Sequence, residues 1–234
     1  MPTILCFNPG SNSLKFDLVE TTLAQVRASQ GRRILTGTIE NIGRRQSSLE
    51  ILEGDRKLVE KQISSGDFEA ATQAALDAIA KLNHGRPDLA AVRVVHGGDH
   101  FEHAVAADDD VIRRIEDRNE LAPLHNPNAI RVIRALREHD HSLNIAAAFD
   151  TAFHHSLPEV AWRYPIDLEM ADRLKIRKFG FHGISHRYQL EQFCHLSGTP
   201  IDEATIITTH LESGSSVCAI LGGKPVETSM GFTL

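Results

Sequence analysis

The chain has 234 residues, 41% of them hydrophobic and 24% charged, with a net charge of -6 and an isoelectric point near 6.1. That is an ordinary globular composition, enough for one large or two small domains, and its acidic balance argues against nucleic acid or an anionic membrane surface as the main partner. The three cysteines, Cys6, Cys194 and Cys218, form no C-x-x-C pair, which fits free thiols in a reducing, cytoplasmic setting.

The N-terminus runs from Met1 straight into a strand-like segment, so no signal peptide is expected. No apolar run approaches the ~20 residues that span a bilayer, and no membrane association is expected. Thr3 to Phe7 is a short apolar run, and Leu14 to Val19 alternates apolar and polar residues, so the two predict a β-hairpin. Between them, Asn8-Pro9-Gly10-Ser11-Asn12-Ser13 consists entirely of turn formers. Gly10 permits close backbone approach, while backbone N–H groups, Ser and Asn side chains and Lys15 suit phosphate oxygens. Two readings stand at this point: a phosphate-gripping hairpin, or a polar loop between two strands.

Strands are expected over 34–39, 48–52 and 57–59, giving a mixed sheet whose first strands are antiparallel. Asp67 is a good N-cap for a helix over 68–82. A buried strand over 89–95 ends at His96-Gly97-Gly98. Asp108-Asp109-Asp110 opens a helix over 111–118, and Asn126-Pro127 caps and starts another to about Glu138. A buried strand over 143–149 ends at Asp150. The polar, His-rich stretch 151–163 reads as a domain junction, giving a first domain over 1–150 and a second over 151–234. Helices are expected over 167–174 and 185–196, then a strand over 204–211, a turn over 212–216 and a return strand over 217–221. This last hairpin echoes the first, each holding Gly-Ser in its turn (Gly10-Ser11, Gly214-Ser215), which is a signal of a duplicated fold.

Six motifs, in order, carry a resemblance: Phe7 to Lys15, Arg93 to Gly98, Leu121 to Pro127, Phe149 to His154, Gly180 to Tyr188 and Thr228 to Thr233. Together they resemble the acetate kinases of the actin-like ATPase superfamily, with propionate and butyrate kinases as close alternatives. The resemblance implies an α/β chain of duplicated ribonuclease-H-like fold whose second copy is cut short. It implies transfer of a phosphoryl group between ATP and acetate, or another short carboxylate, with Mg2+ as cofactor and a homodimer as the assembly. A carboxylate nucleophile has a pKa near ~4 and is already ionised at neutral pH, so no general base is required. The demand falls instead on cations and N–H groups that screen the moving phosphoryl oxygens.

Carried over residue by residue, the resemblance puts Asn8 near Mg2+, and Ser11, Ser13 and Lys15 at the nucleotide phosphates. Arg93 resembles the substrate arginine, whose fork suits a carboxylate or phosphoryl group. Asp150 resembles the active-site aspartate, orienting an arginine or a metal-bound water. His182 resembles the transition-state stabiliser, with His125 and His210 nearby. Val95, Leu124 and Phe181 resemble the pocket for the substrate's methyl group. The second phosphate loop runs His210-Leu211-Glu212-Ser213-Gly214, where Glu212 replaces a family glycine and would set a negative charge beside phosphate. Without the resemblance, His125 and Asn126 also read as helix caps and Arg93 as a structural ion-pair partner. A metal site at His96, Asp99, His100 and His103 is disfavoured, because they lie on a Gly-Gly turn without regular ligand spacing. Two other functions stay open: a non-catalytic remnant that binds carboxylate, phosphate or a partner, and a sugar kinase of the same superfamily.

Overall fold

A computed structural model describes residues 1–27, 30–212 and 214–232. By contact, the chain forms two compact units: Met1–Val94 with Val105–Ala148, and Val95–Ala104 with Phe149–Leu234. Where a single break near residue 150 was expected, the segment 95–104 goes with the later residues. Packing explains this: the Phe101 ring stacks on Phe149 at 4.2 Å, and the Gly97 N–H donates to Thr151 Oγ1 at 3.0 Å.

The first unit is built on β1 (Thr3–Pro9), β2 (Leu14–Glu20), α1 (Leu23–Arg27), β3 (Arg32–Glu40), β4 (Ser47–Glu53), β5 (Arg56–Ile63), α2 (Phe68–Ala80), β6 (Leu89–Val94), β7 (Val105–Ala106), α3 (Asp109–Glu116), α4 (Asn126–His139) and β8 (Asn144–Phe149). The strands form one mixed sheet in the order β5-β4-β3-β2-β1-β6-β8-β7. The β1 to β5 run is antiparallel throughout, as the turn signals predict, and β6 lies parallel to β1. Alternation along the strands puts Leu5, Phe7, Leu14, Phe16, Leu18, Leu35, Ile39, Leu49 and Ile51 on one buried face. Burying each large side chain contributes about 1.5–3 kcal/mol. Gly37 on β3 lets the Phe16 ring lie across the strand, since a Cβ there would sit 2.0 Å from the ring.

Helix α2 begins where Asp67 predicts, its carboxylate accepting the Ala70 N–H at 2.9 Å. The cap of α3 is Asp108, which accepts from the Val111 N–H at 2.8 Å. At α4 the sequence expectation is off by one residue. Asn126 is already inside the helix and fully buried, and His125 takes the cap position without a side-chain capping bond. Of the two residues read as caps, His125 therefore holds the cap position and Asn126 does not.

The second unit contains α5 (Glu159–Trp162), α6 (Leu168–Leu174), α7 (Gly183–Ser197), β9 (Thr205–Leu211), β10 (Ser215–Leu221) and β11 (Lys224–Thr228), with 3-10 turns at Ala152–Ser156 and Ile201–Glu203. The stretch 151–163 thus carries a 3-10 turn and the short helix α5. β11 is an additional strand that the sequence pattern does not announce, because Pro225 interrupts it. The three strands form an antiparallel sheet in the order β11-β10-β9. Leu190 on α7 packs with Ala204, Cys218 and Ile220 to make this unit's core. Among the described residues, no helix is long and apolar enough to cross a membrane.

Candidate active site

In the first unit, Asn8, Lys15 and Arg93 share the sheet face opposite the core. Phe7 faces the core, so its neighbour Asn8 faces away. Lys15 stands opposite Asn8 across the β1–β2 pair. On the other side, Val92 is level with Phe7, which brings Arg93 beside Asn8, and the Arg93 guanidinium donates to Asn8 Oδ1 at 2.8 Å. Asn8 is thus the end of a strand rather than part of the turn, and two cations flank it. The turn itself is Gly10 to Ser13. Its Gly10 N–H, offered to phosphate in the sequence reading, instead donates to the Ser13 carbonyl at 2.8 Å. Ser11 is exposed at the tip and Ser13 half-buried.

A residue the sequence reading missed holds this turn. Asn128, on the first turn of α4, donates to the carbonyls of both Gly10 (3.0 Å) and Leu124 (2.9 Å). It ties the loop to the segment bearing Leu124 and His125. Leu124 is 67% exposed, while His125 is half-buried.

The second unit carries a histidine cluster. Asp150, 1% exposed, follows β8, and its carbonyl accepts the Gly183 N–H at 2.9 Å. Gly183 has to be glycine here, because a Cβ would lie 2.2 Å from that carbonyl oxygen. The contact fixes the start of α7 against Asp150. His182, immediately before, takes the left-handed conformation (φ 56°). A non-glycine residue there costs about 1–2 kcal/mol, and such strain clusters at functional sites. His182 is nearly buried and stacks on His210 at a centroid distance of 4.1 Å. Its Nδ1 lies 2.9 Å from Ser216 Oγ. The same hydroxyl is 2.9 Å from His186 Nε2, and His186 Nδ1 is 2.8 Å from Thr208 Oγ1. His154 Nε2 donates to the Phe181 carbonyl at 2.9 Å.

Burial pushes His154 down to about 4, against the smaller upward pull of the Phe181 carbonyl and the Asp150 carboxylate. Burial, then the neighbouring histidines 154, 182 and 210, holds His186 at about 4 as well. Both imidazoles are therefore neutral at neutral pH. Phe181 and Val95 are buried, with the Phe181 ring 5.5 Å from that of His96. In the second loop, Leu211 is 73% exposed and the Glu212 side chain 67% exposed, its Oε2 4.0 Å from His210 Nε2. Gly214 lies against the His182 ring, 3.7 Å from Cε1 to a built Cβ. Ser213 lies outside the described residues.

Among the described residues, no group of three or more His, Cys, Asp or Glu side chains is arranged to hold a metal. The Asn8 oxygen expected to face Mg2+ is the acceptor for Arg93. An amide oxygen already facing a guanidinium is a poor site for a second cation, and Mg2+ prefers carboxylates and phosphates. Among the described residues, the side chains present do not by themselves form a Mg2+ centre.

Comparison with known proteins decides the family. Residues 3–234 match the Acetokinase family. The chain belongs to that family. It is 40% identical to the acetate kinase of Clostridium botulinum (strain Kyoto / Type A2), over 98% of this chain and 57% of that one. It is likewise 40% identical to the acetate kinase of Clavibacter sepedonicus, over 100% and 58%. Among solved structures, it resembles a Porphyromonas gingivalis acetate kinase (30% identity, TM-score 0.90) and a Francisella tularensis propionate kinase (33%, 0.89), covering all of this chain and 58% of each. The fold of this acetokinase chain is thus the actin-like ATPase fold of those neighbours. The chain spans a little over half the length of these relatives.

Proposed function

We propose that this acetokinase chain takes part in phosphoryl transfer between ATP and a short carboxylate, acetate first, giving ADP and an acyl phosphate. A carboxylate oxygen attacks the γ-phosphorus, the bond from that phosphorus to the β,γ-bridging oxygen breaks, and its electron pair stays on ADP. No proton need move. The barrier is electrostatic, since an anion approaches a polyanion. Arg93, oriented by Asn8 and flanked by Lys15 on the same sheet face, is the group that binds the acid or the moving phosphoryl group. Lys15, Ser11 and Ser13 serve the nucleotide phosphates. His182 stabilises the equatorial oxygens, with His210 and Gly214 setting its position, and Asp150 orients a cationic partner. His125 contributes to acid binding, and Val95, Leu124 and Phe181 supply the apolar contacts to the acid's methyl group. The magnesium this chemistry calls for would arrive on the nucleotide, and a homodimer is the expected assembly.

The observation that carries the reading is the Arg93–Asn8 bond at the open end of the phosphate-loop strand, within a chain of acetokinase type. The test is acetate, ATP and Mg2+ with hydroxylamine to trap acyl phosphate. Hydroxamate should form, and His182→Ala or Arg93→Ala should reduce its rate by about 100-fold or more, the usual loss on removing one such donor. Unchanged rates in both variants would refute the assigned roles. A second reading, binding without turnover, is favoured by the Glu212 carboxylate, which stands on the second phosphate loop. It predicts no hydroxamate but a rise in melting temperature with acetyl phosphate.

A further inference from the structure

Thr208, His186, Ser216 and His182 form an unbroken chain of hydrogen bonds through the interior of the second unit. The sequence creates it by alternation. Thr208 and Ser216 lie on the inward face of the β9–β10 hairpin with Cys218 and Ile220, and all four are buried. His186 and His182 occur one turn apart at the start of α7. His186 is fully buried, and the other three are at most 7% exposed.

Proton counting orders this chain. A hydroxyl has one hydrogen to give. The Thr208 hydroxyl has two acceptors within reach: the Cys218 carbonyl at 3.4 Å and His186 Nδ1 at 2.8 Å. The first exceeds the ordinary 2.5–3.0 Å range for an O–H donor, and a buried donor left without a close acceptor costs about 1–3 kcal/mol. The hydrogen therefore goes to His186 Nδ1. Neutral His186 then carries its own hydrogen on Nε2 and donates it to Ser216. Among the described residues, the acceptor left for the Ser216 hydroxyl hydrogen is His182 Nδ1. With Nδ1 occupied as an acceptor, the hydrogen of neutral His182 sits on Nε2.

We infer that Thr208, His186 and Ser216 are positioning residues that lock neutral His182 as its Nε2–H tautomer, the form in which Nε2 can donate a hydrogen to a phosphoryl oxygen. This builds on the role proposed above for His182. The reverse order of the chain would place a lone pair, not a hydrogen, on Nε2 of neutral His182, and a lone pair repels the same oxygen. Burial and the neighbouring histidines keep His186 neutral. His154 stands edge-on to His186 at 5.7 Å and spends its Nε2 hydrogen on Phe181. His210 stacks on His182 and turns its Nδ1 to Ser185 at 3.0 Å.

The test is 15N-labelled full-length chain without ligand at neutral pH, with each histidine's ring nitrogens read by long-range 1H–15N correlation. His182 and His186 should each show a pyrrole-type Nε2 and a pyridine-type Nδ1. Ser216→Ala should move the His182 nitrogens toward the averaged values of a mixed tautomer, and Ser216→Thr should restore them. A pyrrole-type Nδ1 on His182 in the native chain would overturn the inference. So would nitrogen shifts at His182 that ignore Ser216→Ala; should that variant not fold, the native spectrum decides alone. Because the readout needs no turnover, a correct tautomer in a chain that makes no acyl phosphate would defeat the functional proposal and leave the relay standing.

Discussion

Asn8 and Arg93 share one hydrogen bond, and the role of each depends on the other. A guanidinium fork discriminates carboxylate and phosphate by orientation, so removing the group that aims it should cost affinity before it costs chemistry. Asn8→Ala is expected to raise KM for acetate about 10-fold with a smaller change in kcat, read from initial rates; an unchanged KM would remove Asn8 from the positioning role. Glu212 is a second residue-level test. Its carboxylate is exposed on the second loop, so solvent screens it, but a negative charge there still repels phosphate. Glu212→Gly should therefore tighten ATP binding, measured by titration calorimetry, and no gain would show that this charge does not oppose the nucleotide. At this scale the sequence was informative where a motif is contiguous. Arg93 and His182 are picked out as candidates by the motifs that contain them. Thr208, Ser216 and Asn128 are not, because each is an ordinary polar residue whose partners come from another element. Only the β9–β10 register and the docking of α4 give them their work.

At the scale of elements, the segment joining Asp150 to α7 is the most constrained. Gly183→Ala would drive a methyl group into the Asp150 carbonyl, and the variant should lose several degrees of melting temperature, with His182 displaced. Asp67→Ala removes the α2 cap and should lower stability by about 1 kcal/mol in denaturant titration. Helix starts were legible to within two residues, because Asp67, Asp108 and Asp167 stand where apolar-periodic runs begin and each caps its helix, with α3 starting at Asp109 rather than the expected 111 and α6 at Leu168 rather than 167. The start of α4 was misplaced by one residue because Asn-Pro reads as a cap from sequence, whereas burial of Asn126 draws it into the helix. The strand β11 was missed because proline masks its pattern.

The histidine pair adds a pH dependence at this same scale. His154 and His186 are held at about 4 in the folded chain, below the 6.5 ordinary for histidine. Between those values the unfolded chain binds more protons than the folded one. The stabilisation is therefore fully present above about 6.5 and is lost as pH falls toward about 4. Urea midpoints should decline through that window, and His154→Gln should flatten the decline; an unaltered slope in the variant would contradict the burial account.

For the whole molecule, the outward face of the β9–β10 hairpin stands out. Ile207 and Leu211 are each 73% exposed, Leu221 59% and Val217 42%. Clustered apolar exposure of this kind marks an interaction surface or a liability to associate, and β9 is an open sheet edge. Light scattering should show concentration-dependent self-association that Ile207→Lys with Leu221→Lys suppresses. The division of the chain was only partly legible, since the return of residues 95–104 to the later unit depends on the Phe101–Phe149 stack, a pairing far apart in sequence. What decides the account as a whole is whether phosphorus moves. In 31P NMR of this chain with ATP, acetate and Mg2+, the γ-phosphoryl signal should pass into an acyl phosphate resonance as ADP appears, and His182→Ala should suppress it. An ATP spectrum that stays unchanged while the chain remains folded would contradict the claim that it transfers a phosphoryl group to a short acid.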